Sequence, residues 1–143
     1  MNANEILFEE VERHIAAGEH VLLRLQGDSM LPMMRSGRDV VELGPVAEGD
    51  LRRGVAVLYR RDGRHILHRI VKVEGSALTL MGDGNLNPEY VAAGDVVAVM
   101  RSLRRPGGRV VSTSSWSWRL RSRVWMFLHP VRRYILGVYR RLG

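Results

Sequence analysis

Between residues 36 and 108 turn signals punctuate the chain. Ser36-Gly37-Arg38, the Pro45-containing stretch 44–49, Asp62-Gly63, Glu74-Gly75-Ser76, the polar stretch 82–88 and Pro106-Gly107-Gly108 set off segments that each hold a strand-forming run of five to nine residues. Such runs suit strands. They place strands at about 21–26, 39–43, 55–59, 65–73, 77–81, 95–103 and 109–113. The Asp62-Gly63 pair reads as a hairpin turn, because both residues tolerate positive φ. Six or seven short strands predict a mainly β domain, curled into a half-open barrel or coiled sheet.

Two segments depart from that pattern. Residues 4–17 read as a short N-terminal helix. Leu7, Val11 and Ile15 recur at helical spacing, Asn4 is an N-cap and Gly18 a stop. Residues 114–143 read as a C-terminal helical tail, capped within 112–115 and broken at His129-Pro130. In its second half Val131, Tyr134, Ile135, Val138, Tyr139 and Leu142 form an apolar stripe away from Arg132, Arg133, Arg140 and Arg141. Charge divides the chain at the same place. The formal net charge is +7, yet residues 1–113 hold 15 basic and 15 acidic side chains, and residues 114–143 hold seven arginines and no acid. The expected organisation is a neutral β domain, 1–113, followed by a basic amphipathic tail, 114–143.

Composition removes several classes. The chain has no cysteine, hence no disulfide framework, thiol nucleophile or thiolate metal site. His14, His20 and His129 lack metal-ligand spacing, and no metal or cofactor is expected. The acidic start lacks the pattern of a secretory signal, and no apolar run approaches the ~18 residues that span a bilayer. The expected location is the cytosol, or a membrane face reached from it.

The chemistry concentrates in three boxes. Gly27-Asp28-Ser29-Met30-Leu31-Pro32 presents a serine at a strand end between a glycine and a proline. His68 lies within the expected strand 65–73, and Asp83 follows the strand 77–81. A serine is a poor nucleophile without a base, histidine suits that task near neutral pH, and a carboxylate can orient the imidazole. Taken singly, Ser29 is a turn serine, His68 a strand histidine and Asp83 a turn aspartate, with Asp95 a competing carboxylate. Lys72 is a runner-up base, and it would need a desolvated, lowered pKa. His65 reads as a hairpin residue.

Together these boxes, His68-Arg69-Ile70 and Met81-Gly82-Asp83-Gly84-Asn85 among them, resemble the type I signal peptidase and LexA-like serine peptidase group over roughly residues 20–103. The resemblance implies a coiled β-sheet fold with Ser29 as the nucleophile of a Ser-Met-x-Pro box. His68 stands where bacterial members carry lysine and the archaeal and endoplasmic-reticulum type carries histidine, so the chain looks like the latter branch. Asp83 matches the aspartate of a Gly-Asp-x-Asn-like box. Gly27, Asp28, Met30 and Pro32 would line the oxyanion and substrate groove. Gly27 stands where many bacterial members have an oxyanion-binding serine, which leaves the Ser29 amide as donor. Signal peptidases of the group normally have transmembrane anchoring, and none is read here.

Three function classes follow. The first is a serine endopeptidase cutting a peptide or precursor protein held as an extended strand. The second is a self-cleaving or regulatory LexA-like domain, with Ala17-Gly18 as the bond cut, a dipeptide that recurs by chance at Ala93-Gly94. The third is a non-catalytic module whose tail binds an anionic membrane or nucleic acid. A clean amphipathic stripe favours the membrane over nucleic acid. The competing structural reading packs Trp118, Trp125 and Tyr134 against the β domain.

Overall fold

The computed structural model describes residues 3–24, 33–34, 39–84, 87–105 and 107–142. A leading helix α1 (Ala3–Ala16) precedes eight strands and two further helices. The strands are β1 (Val21–Arg24), β2 (Val40–Gly44), β3 (Ala56–Arg61), β4 (Arg64–Glu74), β5 (Ala77–Met81), β6 (Glu89–Ala92), β7 (Val96–Arg105) and β8 (Arg109–Ser112). Then come α2 (Trp116–Phe127) and α3 (Arg132–Leu142), joined by a 3-10 turn at His129–Val131. The fold is mainly β, as expected. The strand not anticipated is β6. It is short and follows a polar loop, and it gains its place by pairing with β5, Leu80 opposite Glu89 and Ala77 opposite Ala92.

All pairings are antiparallel, in the order β1-β2-β7-β3-β4-β5-β6, and the sheet does not close into a barrel. The long strand β7 is the spine. Residues 99–104 pair with β2 along one edge, and the other edge is shared by β3 at 96–99 and β8 at 102–105. Bulges interrupt the β2–β7, β3–β7 and β4–β5 ladders, at Arg101, Val97 and Val71. Each adds a residue to one strand and increases local twist. The result is a strong curl. In a flat sheet β3 and β6 would stand three strand spacings apart, about 14 Å. Here Arg61 Nη1 donates to the Tyr90 carbonyl at 3.0 Å, and Tyr59 Oη donates to Glu89 Oε2 at 3.0 Å.

Two apolar clusters fill opposite faces. Val57, Tyr59, Ile70, Leu78, Leu80, Val91 and Val99 occupy one. The other gathers Val41, Leu43, Leu58, Met100 and Leu103 with Val11 and Ile15 of α1, Met34 and Trp118 of α2. Helix α1 stops at Gly18, whose φ of +85° a glycine adopts without steric cost. Helix α2 starts at Ser115, whose hydroxyl accepts the Trp118 amide at 3.3 Å, fulfilling the expected cap.

The tail divides differently from the expectation. Trp118, Trp125, Met126 and Leu136 are buried, and Ile135 and Tyr139 pack with Trp125 and Leu136. Tyr134 and Val138, expected on the same stripe, are exposed. Helix α2 is thus a structural part of the β domain. Replacing Trp118 with Ala should cost about 3–5 kcal/mol, as buried aromatic truncations do. Leu120→Ala, at a site 53% exposed, should stay within about 0.5 kcal/mol. Equal urea midpoints for these two variants would show that α2 is not part of the folding unit.

Candidate active site

Strand β4 presents adjacent residues to opposite faces. The Asp62-Gly63 turn, with φ of +50° and +74°, sets the register by pairing Arg61 with Arg64. His68 then faces Val57, and Arg69 faces Ala56. His68 joins the cluster around Tyr59, and Arg69 joins the face covered by α2.

His68 is 3% exposed. Its Nδ1 lies 3.0 Å from Tyr59 Oη, and Tyr59 Oη lies 3.0 Å from Glu89 Oε2. The proton positions follow from valence. A carboxylate only accepts, and the tyrosine has one hydrogen, which it donates to Glu89. His68 Nδ1–H must therefore donate to Tyr59 Oη. This network assigns the tautomer and leaves the lone pair of neutral His68 on Nε2. Burial pushes the imidazole below its ordinary value of 6.5, against weaker upward pulls from Glu89 and then Asp83. Burial, then the charge of Glu89 and its hydrogen bond, hold the Tyr59 hydroxyl protonated far above its usual range. The result is a buried, oriented imidazole that is neutral at pH 7.

Asp83 stands elsewhere than the triad expectation placed it. Its Oδ1 accepts Arg69 Nε at 2.8 Å and its Oδ2 accepts Arg69 Nη2 at 2.7 Å. Both side chains are 1% exposed. Arg69 Nη1 donates to the Gly54 carbonyl at 2.8 Å, its guanidinium lies 5.7 Å from the Trp118 ring centre, and Trp125 Nε1 donates to the Asp83 carbonyl at 2.9 Å. The reason is strand parity. Asp83 follows β5, where Met81 pairs with Arg69, and so meets the guanidinium rather than the imidazole. Asp83 acts on His68 only as a nearby charge, and the orienting role beside Nδ1 falls to Tyr59 and Glu89. The two-residue hairpin, which places Tyr59 diagonally across from His68, was the sequence signal for Tyr59.

Other candidates separate clearly. Ser29, with Gly27, Asp28, Met30 and Pro32, lies outside the described residues. Met34, just beyond that box, is buried in the α1-side cluster. Lys72, the runner-up base, is 66% exposed and bonded to Glu74 at 2.6 Å, and that hydrogen bond raises its pKa, opposite to what a lysine base needs. Asp95 is exposed in a 3-10 turn. His65 stacks on Phe8 and lies 3.2 Å from Glu12, and His20 pairs with Glu42 at 2.6 Å. Among the described residues no three His, Asp or Glu side chains converge as metal ligands would.

The ion pair and the imidazole should separate in mutagenesis. Asp83→Asn leaves a buried guanidinium without its counter-charge and should cost about 3–5 kcal/mol. Arg69→Met with Asp83→Leu, which removes both charges, should recover much of that loss. Urea denaturation of the three proteins measures it. Equal stability of parent and Asp83→Asn would remove the pair from its structural role.

Compared with known protein families and with curated proteins, the chain matches no family model and no curated protein.

Proposed function

We propose that the protein is a serine endopeptidase of the signal peptidase and LexA-like kind, with Ser29 as nucleophile and His68 as general base. The observation that carries this reading is the Glu89–Tyr59–His68 chain, because it fixes a buried neutral imidazole with its lone pair on Nε2. On this reading Nε2 takes the Ser29 proton as the hydroxyl attacks the scissile carbonyl. The imidazolium is held by Nδ1–H on Tyr59 and, through the tyrosine, by the Glu89 charge. It then returns the proton to the leaving amine, and water releases the acyl-enzyme by the same route. The substrate would lie as an extended strand, and the open, curled sheet would be the half-open barrel of that group. Gly27, Asp28, Met30 and Pro32 would border its groove. Cleavage of another chain is favoured over self-cleavage at Ala17-Gly18. Both of those amides are bonded into the end of α1, Ala17 N to Arg13 O at 3.1 Å and Gly18 N to Ile15 O at 3.0 Å.

Ser29→Ala and His68→Ala should each lower kcat for peptide cleavage by about 10³-fold or more, and Tyr59→Phe by about 10²-fold. With a lowered His68 pKa, kcat/KM should rise with pH on an acid limb centred below 6.5 and level off by neutrality. Stability carries the same sign. The unfolded chain takes up the proton first, so stability is present above about pH 6.5 and is lost on acidification below it. His68→Gln should flatten that loss. A parent-like cleavage rate in Ser29→Ala would sink the assignment.

The outer face of the tail favours a membrane-surface setting. Trp116, Leu120, Val124, Phe127, Val131, Tyr134 and Val138 recur at intervals of three and four and are all exposed, Trp116 by 78% and Phe127 by 82%. Arg119, Arg121, Arg123 and Arg141 are also exposed, and no acid follows Asp95. Among the described residues no helix is long and apolar enough to cross a membrane. This face suits the headgroup region of an anionic bilayer, where aromatics sit shallowly and each basic residue adds about 1 kcal/mol. Phosphatidylglycerol vesicles should pellet the protein at low salt, phosphatidylcholine vesicles should not, and Phe127→Glu should weaken pelleting. Equal pelleting with both lipids would refute the electrostatic part.

A further inference from the structure

We infer that the seam between α2 and the sheet is a binding site for a phosphate group. The seam arises where β7 changes partners. Along one edge β3 pairs with β7 as far as Val99, and β8 begins at Ser102. Met100 and Arg101 fall in the fork, where Thr113 takes over. Its amide donates to the Arg101 carbonyl at 3.1 Å, and its hydroxyl lies 3.2 Å and 3.0 Å from the Met100 and Arg101 carbonyls. Helix α2 bridges the fork without filling it, leaving a cavity of about 350 Å³.

Five arginines from three separate segments line this cavity: Arg52, Arg53, Arg101, Arg119 and Arg123. Among the described residues its one lining carboxylate, Asp50, is taken by Arg101, at 3.1 Å from Nη1 and 2.7 Å from Nη2. Arg52 is bonded to the Gly49 carbonyl at 2.8 Å. Arg53, Arg119 and Arg123 have no carboxylate partner among the described residues. Arg52, Arg53, Arg119 and Arg123 are exposed and Arg101 is half-buried, so the cavity presents a positive potential to an anion entering from solvent. The second observation is Ser122. It lines the same cavity, is 3% exposed, and its hydroxyl has no hydrogen-bond partner among the described residues. Buried hydroxyls rarely go unbonded.

A phosphate oxyanion meets both demands. Guanidinium forks match phosphate oxygens in geometry and charge, and the serine can donate to a further oxygen. The phosphate has two possible sources, a free phosphorylated molecule or a phospholipid headgroup from the bilayer beside the outer face of α2. Both present the same group to the same arginines.

Pyrophosphate serves as the free probe, with full-length protein throughout. Titration calorimetry and thermal melts should show binding and a raised Tm. Arg119→Gln with Arg123→Gln should weaken binding at least tenfold, and Ser122→Ala several-fold. The control, Arg109→Gln with Arg121→Gln, removes equal charge outside the cavity and should bind as the parent does. Melts without pyrophosphate report whether each variant is folded. In the second arm, phosphatidylglycerol vesicles are pelleted with and without pyrophosphate. Release of the protein by pyrophosphate, together with loss of pelleting in the cavity variant but not in the equal-charge control, assigns the site to a headgroup. Unchanged pelleting, with pyrophosphate still bound through the cavity, assigns it to a free phosphate. No Tm rise in the parent, or equal weakening in the cavity and control variants, overturns the site.

Discussion

The structure turns on one buried guanidinium. Arg69 is 0% exposed, and a charge so placed is tolerable only with complete compensation. The compensation comes from distant parts of the chain. Asp83 supplies both oxygens from the end of β5, Gly54 supplies a carbonyl from the approach to β3, and Trp118 supplies an aromatic face from α2. Trp125 closes the circuit by holding the Asp83 carbonyl. Satisfying this one side chain therefore sets the packing of α2, the start of β3 and the exit of β5 together. It also explains why a helix from a basic, acid-free tail belongs to the domain.

The opposite face of β4 is built on a softer constraint. Tyr59 and Glu89 meet only because bulges curl the sheet far enough to bring β6 over β3. Their hydroxyl–carboxylate bond fixes the imidazole of His68 through the tyrosine hydroxyl. The two faces thus hold two different electrostatic solutions one residue apart. One is a paired, fully charged fork, and the other a neutral ring kept neutral by burial.

Much of this was legible in the sequence. Turn residues gave the strand-by-strand order, and Asp62-Gly63 gave a register from which Tyr59 could have been placed beside His68. Glu89 could not be found that way, since its contact depends on curvature, a property of the whole sheet. The sequence does not name Arg69 as the partner of Asp83. Strand alternation puts Arg69 on the face where Asp83 arrives, and order along the chain does not reveal faces. The tail misled for another reason. Both sides of α2 and α3 carry large apolar residues, so hydropathy marks two stripes, and only packing tells Trp118, Trp125 and Leu136 from Trp116, Phe127 and Tyr134.

The hairpin between β3 and β4 acts as a gauge with two settings. Two residues in the turn put an imidazole opposite Val57 and a guanidinium opposite Ala56. One more residue would slide β4 by a single step and exchange the faces of every side chain along it. Arginine would then point at Tyr59 and Glu89, and histidine at Asp83 and Trp118. The length of this loop, far from any chemistry, is therefore a discrete variable. A single added residue would keep both side chains on their faces only if a bulge absorbed it, as one does at Val71 in the next ladder.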